Sequence, residues 1–115
     1  MSIIGEIKDS VLEAYKFASY LKKIRLSREE KELLIAAYPQ GEILHIPLNE
    51  GNFIRVGNKN FPDDKTSDPA DFEKYFEALK RLEQRGYVRH ETGILYKLTA
   101  SGFKKAKKLA RKKQR

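Results

Sequence analysis

The segment from Asp71 to Leu98 constrains the fold of this chain more than any other. Its apolar residues recur at the spacing i, i+3, i+4, i+7 and i+10, which places them on one face of a helix: Phe72, Tyr75, Phe76, Leu79 and Leu82. Asp68 and Pro69 precede the helix as the expected N-cap and N1 residues. Gly86 is expected at the C′ position. The sequence therefore predicts an amphipathic helix that begins at Pro69 and ends just before Gly86.

Two short strands and a further helix are predicted after Gly86. Residues 87–90 and 94–98 flank the turn sequence Glu91-Thr92-Gly93, which is typical of a β-hairpin. Thr99 then suits the N-cap of a helix that begins at Ala100. That helix has a thin apolar stripe surrounded by Lys and Arg, and we expect its last residues to fray into a basic tail.

These residues resemble the second half of a winged-helix domain, over residues 69 to about 110. In ALKRLEQRGYV, a recognition-type helix runs through a Leu-x-x-x-Gly-hydrophobic step towards a β-wing. In YKLTASGFKKAKKL, a Leu-Thr-x-x-Gly step leads into a closing helix. The resemblance implies an α+β fold of the winged-helix type. Winged helices serve both as DNA readers and as protein-docking modules, so the resemblance leaves both functions open.

A second hairpin, at about residues 42–61, departs from the family pattern. Strands are predicted at 42–48 and 53–56 around the turn Asn49-Glu50-Gly51-Asn52, with Pro47 at an edge or bulge and residues 57–62 as a loop. A usual helix-turn-helix has only a short turn before the recognition helix. Here about thirty residues separate Tyr38 from Pro69. Either the domain carries an inserted hairpin, or the helical half of its motif is degenerate.

The first part of the chain is predicted to form two helices. Ser27 and Glu30 make a capping box for a helix that runs to about Tyr38. Residues 3 to about 24 form a long helix with a 3-4 alternation of apolar residues, and the seam consists of Ile4, Ile7, Val11, Ala14, Ala18 and Leu21. The seam either packs on the domain core or forms the interface of a homodimer, and a membrane-surface helix is the third alternative.

The chain is thus divided into an N-terminal helical extension (1–26), a winged-helix-like domain (27–103) and a basic C-terminal helix and tail (104–115). We expect the hydrophobic core to contain Leu33, Leu34, Phe72, Tyr75, Phe76, Leu79, Leu82, Val88, Leu98 and either Leu95 or Tyr96. The net charge of +8 is concentrated in residues 103–115, which have eight Lys and Arg and no acidic residue. The rest of the chain is electrically balanced, so the pI alone does not indicate a DNA-binding face.

Several classes of protein are disfavoured. Without cysteine, neither a disulfide framework nor a thiolate metal site can form. No apolar run approaches the roughly 18 residues of a membrane span, and Glu6 and Asp9 argue against a signal peptide, so we expect a cytoplasmic protein. His45 and His90 lie on predicted strands and outside any metal-ligand pattern. We therefore expect no enzyme, no metal and no cofactor.

Double-stranded DNA is the partner that the residue pattern favours, mainly through phosphate contacts. The candidates are the cations and amides of the helix at 69–85, the wing and the last helix: Lys74, Lys80, Arg81, Gln84, Arg85, Arg89, Lys97, Lys104, Lys105, Lys107, Lys108, Arg111, Lys112 and Lys113. Glu73, Glu77 and Glu83 share the first helix, and Glu77 suits an intrahelical pair with Arg81. The first hypothesis is a small DNA-binding protein, such as a transcriptional regulator. The alternative is a protein–protein interaction module that docks or dimerises without reading DNA sequence.

Overall fold

The computed structural model describes residues 16–48 except residue 18, together with residues 51–62 and 69–113. Within these ranges the chain is a mixed α+β fold of four helices and one antiparallel five-stranded sheet. Helical residues at 16–17 and 19–23 are the described part of α1. The other elements are α2 (Arg28–Ala37), β1 (Glu42–Leu48), β2 (Gly51–Val56), β3 (Lys59–Phe61), α3 (Pro69–Gln84), β4 (Val88–Thr92), β5 (Leu95–Leu98) and α4 (Ala100–Lys113). Among these residues, none of the helices has the length and apolar composition that crossing a membrane requires.

Both predicted hairpins belong to a single sheet with the strand order β3-β2-β1-β5-β4. They are joined where β1 pairs with β5, with Ile43 opposite Tyr96 and Leu44 opposite Leu95. The sequence-based prediction of a loop over 57–62 is wrong for residues 59–61. Gly57, with φ of +63°, begins a turn after which β3 pairs with β2.

Pro47 lies in β1, at the centre of the sheet, yet it breaks no pairing. The amide of His45 donates to the carbonyl of Ile94 on the β5 side. Amide directions alternate along a strand, so the position of Pro47 also points to the β5 side. The pairing of β1 with β5 covers only Glu42 to Leu44. At Pro47 this side of β1 has already passed the end of its pairing with β5, so the absent N–H breaks no hydrogen bond between these strands. The sequence predicts Pro47 at an edge or bulge, and the unpaired side of β1 meets that condition.

The predicted start of α2 is confirmed. Ser27 is the N-cap: its hydroxyl accepts from the amide of Glu30, while the Glu30 carboxylate accepts from the amide of Ser27. This capping box satisfies two amides that the first turn of a helix leaves without intrahelical partners. Of the long helix predicted over 3–24, the described part is helical to residue 23, and residues 1–15 lie outside the description.

The end of α3 is also as predicted. Gly86 has φ of +83°, a left-handed conformation that glycine adopts without a steric cost. Its amide donates to the carbonyl of Glu83, and the amide of Tyr87 donates to that of Leu82. Two such bonds around a left-handed glycine form a Schellman motif. The chain leaves the helix at a fixed angle and enters β4.

The core forms between the three helices α2, α3 and α4 and one face of the sheet. Most of the expected core is buried: Leu33, Leu34, Phe72, Leu79, Leu82, Val88, Tyr96 and Leu98. Tyr75 and Phe76 are half-buried at its margin, and Tyr96 rather than Leu95 faces inward. The first hairpin adds residues that were not predicted for the core: Ile43, Ile54 and Val56.

The side chain of His45, on β1, packs against two aromatic rings of α3. Its ring stacks on Phe76, with centroids 5.0 Å apart, and on Phe72, with centroids 5.7 Å apart. Its Nε2 atom is buried and makes no hydrogen bond. Burial, and then the positive charge of Lys80, lowers the pKa of His45. The folded chain therefore favours the neutral imidazole.

The N-terminal end of α4 lies unusually close to the chain that precedes β4. A Cβ atom built on Gly102 would lie 2.0 Å from the carbonyl oxygen of Tyr87 and 2.9 Å from its carbonyl carbon. Phe103 covers Gly41, where an added Cβ would lie 2.4 Å from the phenyl ring. Glycine at position 102 thus permits α4 to pack directly on the backbone.

We expect Gly102→Ala to destabilise the protein. Replacing a glycine inside a helix by alanine normally stabilises the protein by about 1 kcal/mol. Here the overpacking against Tyr87 should reverse the sign and cost about 1–3 kcal/mol. Urea unfolding followed by circular dichroism measures the change. Lys104→Ala, at an exposed position of the same helix, is the control and should change the free energy of unfolding little.

We expect His45 to make the fold weaker in acid. Because its pKa is lowered in the folded state, the unfolded chain takes up the proton first as the pH falls below about 6.5. The stability contributed by neutral His45 is present above that pH and is lost as the pH falls through the lowered folded-state pKa. His45→Phe keeps the ring stack and should lose less thermal stability than the wild type between pH 7.5 and 5. An unchanged pH dependence in His45→Phe would contradict this, and His90→Phe is the matched control.

Candidate nucleic-acid interface

Helix α4 begins at a polar joint that fixes its direction. The Thr99 hydroxyl accepts from the amide of Gly102 at 3.1 Å and donates to the carbonyl of Gly86 at 2.6 Å. The predicted N-cap role of Thr99 is therefore confirmed. The Ser101 hydroxyl also donates to the carbonyl of Gly86, at 3.2 Å. The same joint connects the end of α3 to the start of α4.

Helix α4 has two chemically distinct faces. Gly102 and Ala106 are buried, and Leu109 is half-buried against the core, so this face packs inward. The opposite face has cations at the helical spacing i, i+3, i+4, i+7 and i+8: Lys104, Lys107, Lys108, Arg111 and Lys112. These five residues alone line a groove of about 350 Å³, so no acidic side chain interrupts it. We refer to them as the basic face.

The positive potential of α4 extends to its half-buried edge. Burial lowers the pKa of Lys105, and the charges of Lys108 and Lys112 lower it further. Lys31 on α2 and Arg85, which directly follows α3, contribute in the same direction. A bound anion would relieve this mutual repulsion. The side chain of Lys113, at the end of α4, is outside the described part of the chain.

The basic face is long enough to oppose several phosphates of a nucleic acid. Lys112 lies eight positions after Lys104, or about 12 Å along the helix axis. Duplex DNA carries one negative charge per roughly 1.7 Å of its axis, or about seven over this length. Five cations without an acidic neighbour can therefore replace condensed counterions along the groove.

Helix α3 presents a surface of mixed charge. Lys74, Arg81 and Gln84 are exposed as predicted, but Glu73 and Glu77 are exposed on the same helix. Lys74 and Arg81 line a groove of about 260 Å³ that also includes the acidic residues Glu29 and Glu77. The mixed charge of this face favours phosphate contact less than the uniform charge of the basic face does. Helix α2 packs against both α3 and α4 and lies between them.

Lys80 is engaged within the protein. Its Nζ donates to the Tyr96 hydroxyl at 3.2 Å and lies 5.4 Å from the ring centroid of Phe76 and 5.5 Å from that of Tyr96. Glu83 is 3.8 Å away. The side chain keeps 47% of its exposure, so a ligand could still approach it. A contact with DNA would compete with these interactions.

The cations of the wing lie side by side on β4 and β5. Arg89 is opposite Lys97 in the sheet, and its Nε donates to Glu91 at 3.0 Å. Glu42 is opposite Lys97 on the other side. Carboxylates therefore accompany both predicted cations. Lys97 is half-buried, while Arg89 is exposed.

The prediction that Arg85 contacts nucleic acid is wrong. Arg85 is 1% exposed and pairs with Glu30, which is also 1% exposed, through an Nε–Oε2 distance of 2.6 Å. It also donates to the backbone carbonyls of Leu21, Ile24 and Arg25 at the end of α1. All of its donor nitrogens are used inside the protein. Such a guanidinium satisfies the carbonyls that a helix end leaves without partners.

The dimer seam predicted on the N-terminal helix needs one correction. Leu21 is 6% exposed in the single chain, so it is covered without a second copy. The other seam residues, Ile4, Ile7, Val11, Ala14 and Ala18, lie outside the described residues. The apolar residues exposed on and just after α1 are instead Phe17, Tyr20 and Ile24.

One feature of this region was not predicted from the sequence. Glu30 was predicted only as a capping residue, and its pairing with Arg85 bridges 55 positions of the chain. An acid and a base at that separation give no local signal. In the part of the chain that the structure describes, no group of three or more His, Asp and Glu side chains is positioned to hold a metal ion.

Comparison with known proteins gives no relative for this chain: no protein-family model, no curated protein and no solved structure matches it.

We expect Arg85→Met to destabilise the protein by about 3–5 kcal/mol, because it leaves the Glu30 carboxylate buried without its partner. Arg81→Met, one turn earlier on the same helix, removes an exposed cation and should change the free energy of unfolding by less than about 0.5 kcal/mol. Urea denaturation of both variants measures the difference. Equal and small effects would show that the buried pair does not hold the helices together.

Proposed function

We propose that this chain is a small winged-helix-like DNA-binding protein that holds duplex DNA mainly through phosphate contacts. The observation that carries the proposal is the basic face of α4, where Lys104, Lys107, Lys108, Arg111 and Lys112 form a groove without an acidic residue. Contacts of this kind are electrostatic and do not depend on base sequence. A role as a regulator of transcription would need additional contacts that distinguish bases.

The second half of the fold supports the winged-helix comparison. Helix α3 ends at the Schellman glycine Gly86, the β4–β5 hairpin follows in the position of a wing, and Thr99 starts α4 immediately after β5. The first half departs from it, because β1, β2 and β3 separate α2 from α3. On α3, Lys74, Arg81 and Gln84 are the exposed residues able to reach base edges. They are the candidates for any sequence preference.

A protein-docking module is the second candidate function. The observation that favours it is the pairing of cations with acids away from α4: Arg89 with Glu91, Lys80 with Glu83, and Arg28 with Glu32. A surface on which each cation is paired with an acid has little net charge, so it neither attracts nor strongly repels DNA. The body would then bind a protein, and α4 would be a general contact for polyanions.

The triple change Lys107→Gln, Lys108→Gln and Arg111→Gln should strongly weaken binding to a duplex in a fluorescence-anisotropy titration. Each lost phosphate contact should lower the slope of log K against log salt by about 0.9, or by about 2.7 for three. The titration is run between about 50 and 200 mM salt, where phosphate contacts weaken steeply. The pair Lys74→Gln and Arg81→Gln should instead alter the preference among duplex sequences.

The matched control removes three exposed cations elsewhere: Lys16→Gln, Lys23→Gln and Arg55→Gln. It lowers the net charge equally, so it should retain most of the affinity if the basic face is the site. Equal losses in both triple variants would assign binding to net charge alone and contradict the proposal. Binding that survives the change on α4 but not the pair on α3 would move the site to α3. An absence of binding by the full chain would favour the docking module.

A further inference from the structure

A second cation-rimmed surface lies between α2 and β3, away from the basic face. It is a cavity of about 520 Å³, within the range of small-molecule sites. Its walls come from α2, from β3 and from the joint between α1 and α2. No residue of α4 lines it. It is therefore separate from the basic face.

The floor of the cavity is apolar. Ile35 and Ala36 of α2 form one side of this floor, and Phe61 of β3 forms the other. Ala36 and Phe61 are packed against the hydrophobic core but remain half-exposed. Phe61 is held in place by Tyr75, whose ring centroid is 5.3 Å from its own. Covering this floor with an apolar group would remove hydrocarbon surface from water.

The rim of the cavity is strongly positive. Four cations line it: Arg25, Arg28, Lys31 and Lys59. Among the described residues only Arg28 has an acidic partner, since its Nε donates to Glu32 at 3.0 Å. Arg25, Lys31 and Lys59 therefore face the cavity without a carboxylate that neutralises them in the described part of the chain. This arrangement favours an anionic group at the mouth.

Glu32 is the only acid of the lining, and both of its oxygens are occupied. Oε1 accepts from Arg28, and Oε2 accepts from the Tyr75 hydroxyl at 2.7 Å. Burial, and then the hydrogen bond to Glu32, raises the pKa of Tyr75 to about 12, so Tyr75 remains a donor at neutral pH. The carboxylate is thus tied to the protein and opposes an incoming anion little.

We propose that this cavity binds a small amphipathic carboxylate, with its acyl or aromatic body on Ile35, Ala36 and Phe61 and its carboxylate among Arg25, Arg28 and Lys59. The side chains of the apolar floor, Ile35, Ala36 and Phe61, have no hydrogen-bonding group that could read the edge of a nucleotide base. The cations accommodate one anionic head but have no regular spacing along a groove. Each part of the lining therefore matches one part of such a ligand. The site goes beyond DNA binding and does not depend on it.

The test is a titration of the full, ¹⁵N-labelled chain with octanoate and with 2-naphthoate, followed by two-dimensional NMR in the absence of DNA. Saturable shifts of the amides of residues 31–36 and 59–61 are expected with at least one of the two probes. Octanol and octyltrimethylammonium have an eight-carbon chain like octanoate but lack the anionic head. They should bind at least several-fold more weakly than octanoate.

Two variants assign the binding to the cavity. Arg25→Gln with Lys59→Gln should weaken octanoate binding roughly tenfold, because two of the cations that attract the carboxylate are lost from an exposed rim. The control pair Lys23→Gln and Arg55→Gln removes the same charge outside the lining and should bind like the wild type. Ile35→Gln should also weaken binding while the circular dichroism spectrum stays that of the wild type. If Ile35→Gln does not fold, the rim variant still decides.

Three results would overturn the proposal. The first is the absence of saturable binding with either carboxylate. The second is equal binding of octanoate and octyltrimethylammonium, which would show that the cationic rim has no role. The third is a set of shifts confined to other surfaces, such as the exposed apolar residues Phe17 and Tyr20 of α1.

Discussion

The ion pair between Arg85 and Glu30 joins three helix ends inside the protein. Arg85, at the end of α3, satisfies carbonyls at the end of α1, and Glu30 satisfies the amide of Ser27 at the start of α2. A buried pair contributes little net stability compared with apolar packing, because both charges lose their water. Its geometry is nevertheless restrictive, since breaking either half leaves a buried charge. The relative positions of α1, α2 and α3 depend on it, and α4 packs on the same α2.

Local signals explain which parts of the fold could be predicted from the sequence. The capping box at Ser27, the glycine at 86 and the cap at Thr99 each act within a few residues, so the sequence displays them directly. Strand β3 gave no such signal. Lys59-Asn60-Phe61 has one apolar residue, and the strand forms where the turn that begins at Gly57 brings the chain back onto β2. Pairing between distant residues, such as that of β1 with β5, also leaves no periodicity within a short window.

The candidate interface was predictable where charge is uniform and less so where charges are mixed. Helix α4 has no acidic residue, so its exposed face is positive whatever its neighbours are. On α3, by contrast, the environment decides: Arg81 is exposed, while Arg85, one turn later, is buried against α1 and α2. Arg81 lies in α3 and Arg85 directly follows its last residue, and the sequence does not show which of them meets another helix end. The same reasoning applies to Arg89, whose partner Glu91 lies two residues away.

The basic face of α4 and the cavity between α2 and β3 differ in what lies between their cations. This difference decides which kind of ligand each surface favours. The groove on α4 is lined by cations alone, so a ligand gains from repeated charge and from little else. Between those of the α2–β3 cavity lies an apolar floor, so a single charge with hydrocarbon attached gains from both. Lys31 lines the cavity and also repels Lys105 on α4. Lys105 is not one of the five residues of the basic face, and no residue lines both surfaces, so variants of one surface leave the lining of the other unchanged.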